Sequence, residues 1–101
     1  YTLSAPISGG YYEVTIKREA LGQFSRWMFD ERPADAQLKV SPPQGNYYWE
    51  PNKSPVICLV AGIGVTPALA ICRTFVASNI SDRLHIDYSA RGVLDFALPA
   101  N

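Results

Sequence analysis

A chain of 101 residues, 48% of them hydrophobic and 18% charged, holds enough apolar mass to fill one small core but not two complete ones. Its formal net charge is zero and its basic residues are scattered, so it lacks the concentrated positive surface that nucleic acid or an anionic membrane requires. The longest apolar run, Val56 to Ala61, falls far short of a membrane span, and with no charged-then-apolar leader the expected setting is cytoplasmic.

Tyr1, not methionine, opens the chain directly into patterned sequence, which reads as a piece with residues removed upstream. Tyr12, Val14 and Ile16 alternate with Glu13, Thr15 and Lys17, the period-two signature of a half-buried strand. The preceding Ser8-Gly9-Gly10 supplies a turn, so a hairpin with the segment Tyr1 to Ala5 is expected. Phe24, Trp27 and Met28 fall at helical spacing, Ser25 is placed to cap the start, and Pro33 stops the run. Gln37 to Ser41 alternates again as a strand, and Pro42-Pro43-Gln44-Gly45 then forbids regular pairing before Tyr47, Tyr48 and Trp49.

Pro51-Asn52-Lys53-Ser54-Pro55 is the linker-like stretch, and it divides the chain into residues 1–52 and 53–101. Beyond it Val56 to Ala61 is apolar on both faces, as a parallel strand covered by helices on each side would be. Thr66-Pro67 places a cap and a first-turn proline ahead of Leu69, Ile71, Cys72, Phe75 and Val76, a helix that Ser78-Asn79 can end. Leu84 to Tyr88 follows as a second strand, completing a βαβ unit with a right-handed crossover. Cys58 and Cys72 lie in apolar runs without CxxC spacing and read as buried thiols.

Chemistry is concentrated at the turns. Ala61-Gly62-Ile63-Gly64-Val65-Thr66-Pro67 stands between a buried strand and a helix, where glycines admit a sharp turn and the helix start offers unpaired amides to an anion such as a pyrophosphate. Pro67 occupies the third position of the GxGxxG dinucleotide pattern, so this is not that fingerprint, and a turn using glycine for geometry alone fits the same residues. Leu21-Gly22-Gln23-Phe24-Ser25 offers a second phosphate cradle, or a plain N-cap through Ser25. Asp87 reads as an ordinary strand-end aspartate and His85, the sole histidine, as structural, since no nucleophile or carboxylate cluster accompanies it. No metal-ligand spacing and no nucleophile elbow is present.

Taken in order, these segments resemble the ferredoxin-NADP reductase-like FAD/NAD(P)-binding oxidoreductases. Tyr1-Thr2-Leu3-Ser4 resembles the tail of the family's Arg-x-Tyr-Ser/Thr flavin motif, Gly22 to Ser25 its pyrophosphate-binding turn, and Ala61 to Pro67 its nicotinamide-nucleotide loop. Ser41 to Gly45 stands where the family has a Gly-Pro-x-Gly turn, with Pro42 in place of a glycine, and Tyr88-Ser89-Ala90-Arg91 with Asp95 resembles its Tyr-Gly-x-Arg strand end.

The resemblance implies a mixed fold, an antiparallel β-barrel flavin-domain portion over 1–52 followed by a parallel α/β nucleotide-binding portion over 53–101, neither complete. It implies a flavin-dependent NAD(P)H oxidoreductase that passes electrons through FAD to an acceptor such as a ferredoxin, globin or oxygenase domain. Tyr1 would lay its ring on the flavin, Thr2 would bring a hydroxyl near the flavin N5 as the catalytic position, and Leu3 and Ser4 would add contacts. Lys17 would lie near the ribityl or phosphate portion, with Gly22, Gln23, Phe24 and Ser25 presenting amides to the pyrophosphate. Gly62, Gly64, Val65, Thr66 and Pro67 would meet the nicotinamide nucleotide, and Arg91 its phosphate or ribose. The arginine of the flavin motif and the family's Cys-Gly segment with its terminal aromatic are absent from these 101 residues, so this piece alone is expected not to turn over. Three other readings remain: an electron-transfer subunit of a larger enzyme, a cofactor-free β/α binding or structural module, and a relic that keeps motifs without a stable fold.

Overall fold

Residues 1–7 and 9–96 are described in the computed structural model of the chain. Among them the expected hairpin is present as isolated bridge positions and no continuous ladder: Leu3 pairs antiparallel with Val14, the Ser4 amide donates to the Glu13 carbonyl at 2.9 Å, and Tyr11 is a further bridge position. Gln37 to Ser41 forms no strand, contrary to its alternation. A strand exists only where a neighbour takes up its backbone groups, and Leu38 and Val40 stand exposed instead. The described residues of 1–52 therefore contribute bridge positions and a helix, and the fold shown is a mixed one with two helices and a two-stranded parallel sheet.

Helix α1 spans Gln23–Asp30 and is capped by Gly22 in extended conformation, not by Ser25. The helix starts one turn earlier than a serine cap predicts because Ser25 faces inward: it is buried, and its hydroxyl accepts a hydrogen bond from the Glu19 amide at 3.0 Å. At the other end the amides of Glu31 and Arg32 both donate to the Trp27 carbonyl, and Pro33 cannot extend the ladder. The Arg18 guanidinium forks onto the Asp30 carboxylate, with contacts of 3.1 and 2.8 Å.

After the linker the predicted order holds. Strand β1 (Val56–Ala61) and strand β2 (Leu84–Ser89) pair in parallel, with Val56 opposite Leu84 and Ala61 opposite Ser89. Parallel neighbours need a crossover, supplied by helix α2 (Thr66–Ala77). A 3-10 turn over Gly62–Val65 runs straight into α2, so Thr66 is the buried first residue of the helix and makes no side-chain cap, while Pro67 sits in the first turn as expected. Asn79 adopts φ +58° and the Ile80 amide reaches back to the Phe75 carbonyl at 3.0 Å. That is a left-handed Schellman-type termination.

The core lies between the sheet and α2. Cys58, Val65, Ala68 and Phe75 are buried there, Trp49 from the linker side meets Phe75 at 4.6 Å between ring centroids, and the Arg83 guanidinium lies 5.7 Å from the centre of the same ring. Both cysteines are free thiols; Cys58 is buried, which pushes its thiol pKa up, and Cys72 is half-buried. Only one face of the sheet is covered among the described residues. Ile57 and Leu59 are 69% and 74% exposed on the other face, beside His85 and Asp87, because a single crossover helix can shield only the side on which it packs.

Candidate functional site

The carboxyl ends of parallel strands are where an α/β sheet opens toward a ligand, since the chain there turns away into the next helix. Here the ends of β1 and β2 border a cleft of about 440 Å3 lined by Gly62, Ser89, Arg91 and Asp95, with Lys17 joining from the other half of the chain. Two cations thus meet one glycine turn.

The glycines of that turn differ in what they require. Gly62 has φ +53°, a conformation that disfavours any side chain. Gly64 has no such need, and a β-carbon built on it meets nothing within 4 Å. Backbone geometry accounts for Gly62 but leaves Gly64 open, with free space above it for a ligand. Val65 and Thr66 are buried against the core and do not line the cleft, and the Thr66 amide donates to the Ile63 carbonyl, so the amides without a helical partner are those at the start of the 3-10 turn, at Gly62 and Ile63. His85 and Asp87 lie on the open sheet face and take no part in the cleft.

A second cleft, of about 610 Å3, runs beside α1 and is lined by Gly22, Gln23, Phe24, Arg26, Trp27 and Glu31. The Tyr1 ring stands 5.2 Å from that of Phe24, and Phe24 stands 6.0 Å from Trp27. Two of the segments expected from the resemblance to face a flavin, Tyr1 and the mouth of α1, are therefore adjacent. With the Ser25 hydroxyl turned inward, the polar side chains at this mouth are Gln23, Arg26, Asp30 and Glu31, of which Asp30 is paired with Arg18.

Thr2 is exposed and Leu3 half-buried at the bridge. Ser4 is fully buried, and its hydroxyl donates to the Glu13 carboxylate and accepts from the Thr15 hydroxyl, both at 3.1 Å. Its side chain is thereby committed inside the protein. Lys17 lines the cleft of Gly62 and Arg91 and makes a loose ion pair with Glu19 at 3.9 Å.

Sequence reasoning missed Arg73. Its guanidinium donates to the Ser4 carbonyl at 3.0 Å and to the Glu13 carboxylate, and this hydrogen bond, followed by the one from the Ser4 hydroxyl, holds the Glu13 carboxyl below the usual carboxylate range. The available signal was that Arg73 is the single charge in an otherwise apolar and hydroxyl-bearing helix. Among the described residues no group of three or more metal-ligating side chains stands together, and no helix is long and apolar enough to cross a membrane.

No family model and no solved structure matches the chain. Curated relatives do. A flavohemoprotein of Pseudomonas aeruginosa is 37% identical over 71 residues, covering 70% of this chain and 18% of that protein. A flavohemoprotein of Pseudomonas putida is 32% identical over 91 residues, covering 90% of this chain and 23% of that protein. The ferredoxin reductase component of 3-ketosteroid-9-alpha-monooxygenase from Mycolicibacterium smegmatis is 35% identical over 80 residues, covering 78% of this chain and 23% of that protein. The chain thus spans less than a quarter of the length of the relatives it matches.

Proposed function

The chain is homologous to a stretch of the ferredoxin-NADP reductase-like oxidoreductases, and on that premise we propose that it serves a protein that moves electrons from NAD(P)H through FAD to an acceptor. Residues 1–52 are the flavin side, the end of an antiparallel barrel, and residues 53–101 begin the nucleotide side. The observation that carries this reading is the cleft at the strand ends, where Lys17, Gly62 and Arg91 converge.

The donor set fits a dinucleotide. The Lys17 ammonium and Arg91 guanidinium suit its phosphates, the amides of the 3-10 turn suit the same oxygens, and the empty space over Gly64 admits close approach of the ligand to the backbone. Thr66 and Pro67 open helix α2 directly after that turn. At the mouth of α1, amides of Gln23 and Phe24 with Arg26 would hold the flavin pyrophosphate, and the exposed Tyr1 ring would lie along the flavin with the Thr2 hydroxyl beside N5. Leu3 and Ser4 would serve through their backbone.

When bound, the nicotinamide nucleotide and FAD would supply the redox chemistry, hydride transfer between them and electron release to the acceptor. The protein's part is to orient and to exclude water. A ferredoxin, a globin or an oxygenase domain is the acceptor class proposed, since the relatives' names include both a haem protein and a ferredoxin reductase component. An electron-transfer subunit within a larger enzyme is the same reading with a separate partner.

Gly64→Val tests the glycine turn beside the cleft, because a β-carbon on Gly64 meets no protein atom within 4 Å. In the intact protein the expected result is an unchanged melting temperature with nucleotide affinity reduced about tenfold or more, as loss of close backbone approach predicts. Unchanged affinity would contradict a nucleotide at this turn.

A further inference from the structure

We propose that Arg73 is a positioning residue that holds the Tyr1-to-Ser4 segment against helix α2 and thereby sets the separation between flavin and nicotinamide. This rests on the reductase reading above.

Two pieces of the proposed site approach each other through this one side chain. Ser4 closely follows Tyr1 and Thr2, the residues proposed to touch the flavin. Arg73 lies about two turns along α2 from the Gly62-to-Thr66 turn proposed to hold the nucleotide. The Arg73 guanidinium donates to the Ser4 carbonyl at 3.0 Å and to the Glu13 carboxylate, across 69 and 60 residues of sequence. Glu13 is itself fixed by the Ser4 hydroxyl, and the Ser4 amide by the Glu13 carbonyl. The result is a closed loop of hydrogen bonds around a fully buried serine.

Other ties between the halves act elsewhere. Trp49 on Phe75 and Arg83 on the Asn52 carbonyl hold the linker, whereas Arg73 reaches the segment that carries Tyr1 and Thr2. Neither Arg73 nor Glu13 lines either cleft, so their effect on chemistry would come through geometry. Hydride transfer is sensitive to such geometry, since a misplacement of about 1 Å can cost about a hundredfold in rate.

The test uses the intact protein with its flavin, reduced anaerobically by saturating NADH or NADPH and followed by stopped-flow absorbance. Arg73→Met should lower the limiting rate of flavin reduction about tenfold or more, with flavin content and nucleotide dissociation constant within about twofold of wild type. Arg73→Lys, which keeps a donor for the Ser4 carbonyl, should recover part of the rate. Glu13→Gln should slow the same step, and combining it with Arg73→Met should add little, as expected for two members of one network.

A wild-type limiting rate in Arg73→Met, or weaker nucleotide binding at an unchanged limiting rate, would overturn the positioning role while leaving the reductase reading intact. If Arg73→Met does not fold, Glu13→Gln decides by the same two readouts. A wild-type protein without reducible flavin would remove the reductase reading itself, and this role with it.

Discussion

A β-carbon placed on Gly22 would stand 2.5 Å from the hydroxyl oxygen of Ser25 and 3.1 Å from the β-carbon of Glu19. The glycine is therefore required by its neighbours, not by its own backbone angles, which are ordinary at φ −79° and ψ 132°. It leaves room for the Ser25 hydroxyl to turn inward and accept from the Glu19 amide.

Gly22→Ala accordingly should force Ser25 out of that position and destabilise the protein by about 1–3 kcal/mol, the usual cost of overpacking a tight site. Ser25→Ala in the same background should recover part of the loss by removing the colliding oxygen. Chemical denaturation of the two single variants and the double variant measures this. Independent, additive losses would contradict a direct clash.

At the nucleotide turn the two glycines should behave differently. Gly62→Ala places a side chain at φ +53° and should cost about 1–2 kcal/mol of stability. Gly64→Ala, with no atom within reach of the new β-carbon, should change stability by less than about 0.5 kcal/mol. Equal losses in thermal melts would show that the turn is shaped otherwise.

Phe75 is completely buried between α2 and the sheet, with Trp49 against it. Phe75→Ala removes that contact and leaves a void, for an expected loss of about 3–5 kcal/mol. Phe75→Leu should cost much less. A small effect of Phe75→Ala on the denaturation midpoint would mean that the linker and α2 do not share this core.

The Glu13 carboxyl is held below its ordinary value of 4.5 chiefly by the hydrogen bond from Arg73 and next by that from Ser4, against a smaller opposing effect of burial. A carboxylate whose pKa is depressed on folding stabilises the protein fully above its unfolded value, and that contribution is lost as the pH falls through the folded one. The difference in melting temperature between wild type and Glu13→Gln should therefore be largest at neutral pH and shrink below about pH 4.5. A difference that stays constant down to acid pH would show that Glu13 titrates no differently in the folded protein.

Much of the second half was legible in the sequence because its signals are local. The apolar run Val56 to Ala61, Pro67 in a first helical turn and Asn79 at a helix end each specify a conformation within a few residues, and all three are found there. The first half was less legible. Gln37 to Ser41 has a strand's alternation but no partner among the described residues, and a strand is a property of two segments, not one. Ser25 has the chemistry of a cap, yet sequence spacing does not distinguish a hydroxyl at the helix start from one turned toward the preceding loop. Arg73, and the position of Lys17 beside Gly62 and Arg91, were not legible because these contacts lie far away in the chain, where periodicity carries no information.

The most direct test is an anaerobic titration of the natively purified intact protein with NADH and NADPH in turn, followed by visible absorbance. The account predicts a bound yellow flavin that bleaches with one or both nucleotides. A well-folded, colourless protein that takes up no added FAD would contradict it and favour a cofactor-free module.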